Sequence, residues 1–120
     1  MYYTSDGNLD PKWVDSEAVE QAQKLQGMKT SQLRKFYADV KSLERQYMAA
    51  TDKDAAFARI LPMIKLLKAK SAYALTRKVV PKEFRDWLWK HVDNISTFKD
   101  FSAFLLNFEA VVGFSSTTKD

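Results

Sequence analysis

The chain has 120 residues, 46% of them hydrophobic and 13% aromatic, which is enough to bury one core and little more. It contains no cysteine, so disulfides, thiolate metal sites and cysteine nucleophiles are excluded, and no apolar run reaches the roughly 20 residues that a membrane span requires. The net charge of +4 is unevenly spread: residues 1–28 hold two basic and five acidic side chains, whereas Ala55 to Lys82 contains no acid and seven cations, Arg59, Lys65, Lys68, Lys70, Arg77, Lys78 and Lys82.

A field of one sign draws polyanions, and the plain alternative is a solvated face that keeps the protein dispersed. The first ten residues are polar and turn-rich and predict a disordered or weakly tethered tail. They lack the charged-then-apolar layout of a secretion signal, so a soluble, cytoplasmic protein is expected. A first helix is predicted from Trp13 to Gln26, with Gly27 as its stop. Its apolar content, chiefly Val14, Ala18, Val19, Ala22 and Leu25, is thin enough to predict marginal docking.

The second helix is predicted to open at Thr30 or Ser31 and run to about Ala50. Leu33, Phe36, Tyr37, Val40, Leu43 and Tyr47 recur at three- and four-residue steps and form its core stripe. A third segment begins near Thr51 or Asp52 and ends near Val79, turning Phe57, Ile60, Leu61, Ile64, Leu67 and Leu75 inward. Pro62 lies inside it, and the sequence leaves open whether it kinks one long helix or begins another. Pro81 starts the next helix, which runs to about Asn94 with Phe84, Trp87, Leu88 and Val92 buried. Thr97 and Asp100 form a near capping box for the last helix. That helix buries Phe101, Phe104, Leu105, Phe108 and Val112 and is predicted to stop at Gly113. The expected architecture is all-α, a compact bundle of five or six helices without a sheet, covering residues 11–114 between disordered tails 1–10 and 115–120.

Catalytic chemistry has little to build on. With His91 as the single histidine, neither a His-based triad nor a multi-histidine metal site can be assembled, and it reads as a packed or half-exposed helix residue. No P-loop, dinucleotide-binding glycine pattern or EF-hand loop occurs. Asp52 and Asp54 fall where a helix start favours negative charge. No catalytic residue, metal site or cofactor is expected.

The basic residues are better organised. Arg34, Lys41 and Arg45 lie within about 40° of one meridian of the second helix, a line about 16 Å long on the side away from the core, with Lys35 on the neighbouring row. Leu66, Lys70, Tyr73 and Arg77 share a face of the third segment, where cations can neutralise a phosphate backbone and an aromatic can stack on a base. Lys65 and Lys68 sit round the other side. A helix-turn-helix DNA reader is not apparent, because the two-helix unit with a short glycine-containing turn is missing.

Three ordered segments carry a resemblance. Thr30-Ser31-Gln32-Leu33-Arg34-Lys35-Phe36-Tyr37, then Lys68 through Arg77 with Ala72-Tyr73-Ala74 at its centre, then the phenylalanine-rich run from Phe98 through Phe101, Phe104 and Phe108 to Val112, resemble the small helical subunit of type III-A CRISPR Csm complexes. The resemblance covers about residues 28–114 and leaves the first helix outside. It implies a non-catalytic subunit present in more than one copy, lying beside the backbone subunits and contacting guide (crRNA) and target RNA through their sugar-phosphate backbones. Arg34 and Lys35 match the first signature, and Lys68, Lys70 and Arg77 the second. Lys41, Arg45 and Tyr73 join them from the helical faces. The implied partners are guide and target RNA, the other Csm subunits and a second copy of the chain, including a homodimer in isolation, and no membrane. The alternative is a structural adaptor that docks partner proteins through Trp13, Trp89 and Phe114, taken as exposed, without touching RNA.

Overall fold

The structure, a computed structural model, describes residues 1–117, with side chains through Ser115. Five α-helices follow one another: α1 (Ser16–Lys24), α2 (Thr30–Ala49), α3 (Lys53–Thr76), α4 (Lys82–Asp93) and α5 (Phe98–Thr117), with a 3-10 turn over Pro11–Val14 ahead of α1. Among the described residues there is no strand, only an isolated bridge between Tyr3 and Leu9. The last three residues of the expected C-terminal tail, 118–120, lie outside the described residues.

The α2 stripe packs as its periodicity predicts, with Leu33, Phe36, Val40 and Leu43 buried and Tyr37 and Tyr47 half-buried. α2 sits between α3 and α5, and α3 packs on α4. Aromatic side chains tie α4 into the same core: Phe84 meets Phe36 of α2 at 4.9 Å between ring centroids, and Trp87 meets Phe108 of α5 at 4.9 Å.

Caps fix several boundaries. The Asp52 carboxylate accepts from the Ala55 amide at 3.1 Å, opening α3. At α5 the Asp100 amide donates to the Thr97 hydroxyl at 3.2 Å while the Asp100 carboxylate accepts from the Thr97 amide at 3.2 Å, a reciprocal capping box. α3 ends in a Schellman turn: the Val79 amide donates to the Ala74 carbonyl and the Lys78 amide to the Leu75 carbonyl, with Lys78 at φ 61°.

Three regions depart from expectation, and the question left open at Pro62 is answered. Residues 1–10 fold back onto the bundle: Tyr2 is 1% exposed, its hydroxyl oxygen lies 2.8 Å from His91 Nδ1, and its ring packs on Trp13 and His91. Tyr3 also donates a hydrogen bond to the Lys99 carbonyl, and Gly7 at φ 84° lets the loop reverse. The single N-terminal helix is a 3-10 turn and a shorter α1, and it docks firmly, with Trp13, Ala18, Ala22 and Leu25 all buried. Small Ala18 and Ala22 let α1 approach α5 closely, a contribution that a count of bulky apolar residues misses.

α3 runs unbroken through Pro62. Pro62 and Ala58, whose carbonyl loses its donor there, both lie on the exposed side, where water can take up the lost bond. α5 continues past Gly113, which has open space around it, and carries the buried Ser115 onto the core, so residues 115–117 are helical and not a frayed tail.

Candidate functional site

α2 and α3 form an antiparallel pair joined by the short connection Ala50 to Asp52. Lys53 fastens that connection by donating to the carbonyls of Tyr47, Met48 and Ala50 at 3.0, 2.8 and 2.8 Å. Antiparallel pairing sets the start of α2 beside the end of α3. The exposed edges there enclose a groove of about 460 Å³, lined by Gln32, Lys35 and Asp39 of α2, by Lys70 and Tyr73 of α3 and by Arg77 at its C-cap, with Phe36, Ala74 and Val79 completing it.

Tyr73 is 63% exposed, and the Arg77 guanidinium carbon lies 5.7 Å from its ring centre. A planar cation over an aromatic face stiffens both side chains. Lys70 Nζ is 3.8 Å from an Asp39 carboxylate oxygen, a loose contact between half-exposed groups that an incoming anion can displace. Asp39 was not singled out in the sequence; the signal available was its position one turn after Lys35.

The remaining predicted residues lie elsewhere. Arg34 and Arg45 are exposed on the outer side of α2. Lys41, between them, donates to Glu44 at 2.7 Å, and that bond together with the nearby Glu109 carboxylate holds its ammonium above the ordinary lysine range. The outer line of α2 is therefore interrupted by carboxylates, and Lys35 is the α2 cation turned toward α3. Lys68 faces α4, where it donates to Asp93 at 2.7 Å and stands 4.9 Å from the Trp89 ring centre. Lys65 donates to the carbonyls of Val92 and Ile95 at 2.9 and 3.4 Å, closing the end of α4. Periodicity put these two lysines on the far side of α3; the side chains they meet there are set by α4.

The aromatics taken as exposed docking groups are not exposed. Trp13 is 6% exposed, Trp89 is half-buried with its indole N–H donating to the Lys68 carbonyl and the Ser71 hydroxyl, and Phe114 packs against the core. Burial of Tyr2 and Trp13 around it also accounts for His91. Desolvation first, then the Lys90 charge, lowers its pKa to about 3, leaving a neutral imidazole among the Trp87 and Phe104 rings. Among the described residues no group of three or more His, Asp or Glu side chains is placed to hold a metal ion. No helix among them is long and apolar enough to cross a membrane.

Among the described residues the fold is a small all-helical bundle with a surface groove edged by Lys35, Lys70, Arg77 and the exposed Tyr73. The family model described as Csm2 Type III-A matches residues 8–120, and the chain belongs to that family. It is a structural small subunit of the Csm complex of type III-A CRISPR defence, and the other subunits of that complex are its partners. The match takes in α1, which the sequence resemblance had left outside. Comparisons with curated proteins and with solved structures give no match.

Proposed function

We propose that this subunit contacts guide and target RNA through their sugar-phosphate backbones, in the cytoplasm and without sequence preference, and that the α2–α3 groove is the contact surface. The observation that carries the reading is the convergence of Lys35, Lys70 and Arg77 with the exposed Tyr73 in one groove drawn from two helices. A complex that accepts any target has to leave the bases to Watson–Crick pairing and read backbone and shape. Arg34 and Arg45 supply further positive field from the outer side of α2. Lys41 and Lys68, committed to carboxylates, contribute less. Self-association belongs to the same reading, since a subunit repeated along an assembly meets its own copy.

The test is anisotropy binding of the full chain to several unrelated RNA sequences across a salt series. The K35A/K70A/R77A variant should bind all of them about tenfold more weakly and with a shallower salt dependence, at an unchanged melting temperature. Unchanged affinity in a folded variant would falsify the proposed groove. The adaptor alternative loses the three aromatics on which it was placed, since Trp13 is buried and Trp89 and Phe114 are partly buried.

A further inference from the structure

We infer that a second hollow, between α1 and α4, docks a segment of a partner protein that brings an arginine or lysine side chain beside an exposed backbone carbonyl. α1 packs on α5 and α4 on α3. The gap left between α1 and α4 is a hollow of about 590 Å³, within the size range of pockets that hold ligands. It shares no lining residue with the α2–α3 groove, and it does not depend on the RNA reading.

Both helices turn the same pattern toward it. Glu17, Glu20 and Lys24 of α1, and Glu83, Asp86 and Lys90 of α4, each follow one another at steps of three and four residues, which puts each set on one helix face. Four carboxylates against two ammonium groups leave the lining at −2. Glu20 and Asp86 already have cations, Lys24 at 3.5 Å and Arg85 at 2.9 Å. Among the described residues Glu17 and Glu83 have no ion-pair partner, so both are available to an incoming charge.

The independent observation lies beneath the carboxylates. Trp13 and Gln21 also line the hollow, and the Trp13 indole N–H and the Gln21 side-chain amide nitrogen are closed off from water without an acceptor. Trp13 is 6% exposed. The other two indoles are satisfied, Trp87 by the Asn107 side-chain oxygen at 3.3 Å and Trp89 by the Lys68 carbonyl at 3.0 Å. Asn107, buried in the same lining, is committed at both ends, since its nitrogen donates to the Trp13 backbone carbonyl. A buried donor without an acceptor is a cost that folding has left standing, and an acceptor carried in from outside removes it. Gln21 is half-buried, so rotation of its own side chain admits one.

Acceptor and cation together select the occupant. A polyamine brings charge but nothing to accept from the two N–H donors. RNA brings acceptors, but on phosphates that the excess of carboxylates repels. A peptide segment brings both: its carbonyls accept, while a guanidinium or ammonium group meets Glu17 and Glu83.

NMR of the isotope-labelled full chain follows the indole N–H groups directly. A short acetylated and amidated peptide of alternating glycine and arginine should move the Trp13 indole signal downfield in a saturable way and leave that of Trp89 in place. Replacing its arginines by citrulline, or the protein's carboxylates in the E17Q/E83Q variant, should weaken binding about tenfold. Gln21→Met keeps the length of the side chain and removes an unpaired donor, so it should melt at a higher temperature and bind the peptide about threefold more weakly. Spermidine and single-stranded RNA should leave the Trp13 signal where it is. An unmoved Trp13 signal with the peptide, full-strength binding by E17Q/E83Q, or a shift by spermidine or RNA as large as the peptide's would each overturn the site. A Q21M protein that melts lower would overturn it as well, by showing that Gln21 already has its acceptor.

Discussion

His91 shows how one residue's behaviour is set by groups far from it in the chain. Its Nδ1 meets the Tyr2 hydroxyl, Trp13 and Trp87 stand edge-on to its ring, and Phe104 packs at a tilt, contacts that span 89 residues of sequence at their widest. Because its pKa is lowered to about 3 in the folded state, the unfolded chain takes up a proton first as pH falls below the ordinary histidine value of 6.5. This group's contribution to stability is thus complete above pH 6.5 and is lost as pH drops toward 3. Between pH 7 and pH 5 the loss amounts to about 2 kcal/mol. Urea unfolding at the two pH values should show that difference in the natural chain, and the His91→Gln variant should lack it. An equal pH dependence in both proteins would refute the assignment.

At the scale of elements, caps and periodicity were legible, whereas Pro62 left two readings open and Gly113 was misread as a stop. The α2 stripe, the Asp52 cap and the Thr97/Asp100 box depend on residues within one or two turns, so local pattern finds them. Pro62 and Gly113 are local signals that tertiary packing overrode: α3 is held to the core by Ile60 and Ile64 on either side of Pro62, and α5 by Val111 and Ser115 on either side of Gly113. Gly113 still carries its cost within the helix. A Cβ there would meet nothing within 4 Å. Gly113→Ala should therefore stabilise the protein by about 1 kcal/mol, read as a higher urea midpoint at unchanged slope. Destabilisation would mean that the end of α5 is not helical in solution.

Across the whole molecule, the charge imbalance of the sequence becomes a difference between faces. Glu17 and Glu20 of α1 join Glu83 and Asp86 of α4 around one hollow that also holds Lys24 and Lys90, while Lys29, Lys35, Lys70, Arg77 and Lys78 line hollows along the α2–α3 seam. Met63 and Leu66 remain exposed on α3, at 47% and 43%. With both charge signs and apolar side chains on its surface, the proposed self-association should appear in light scattering as a mass that rises above 13.8 kDa with concentration. A mass fixed at that value over the whole range would remove it.

The basic, helical, cysteine-free character of this chain was determined by sequence alone, because composition, 3.6-residue periodicity and capping pairs act through neighbours in the chain. So was the row Lys70, Tyr73 and Arg77, since one helix fixes its own faces. Tertiary structure decided which of the eight candidate residues share a surface. It turned Lys35 of α2 toward that row, gave Lys68 to Asp93 and Lys41 to Glu44, and brought Asp39 into the groove. It also buried Tyr2 and Trp13 around His91. A helical repeat specifies where a side chain points on its own cylinder, but the partner it meets there depends on which helix packs alongside, and that is settled only when the whole core closes.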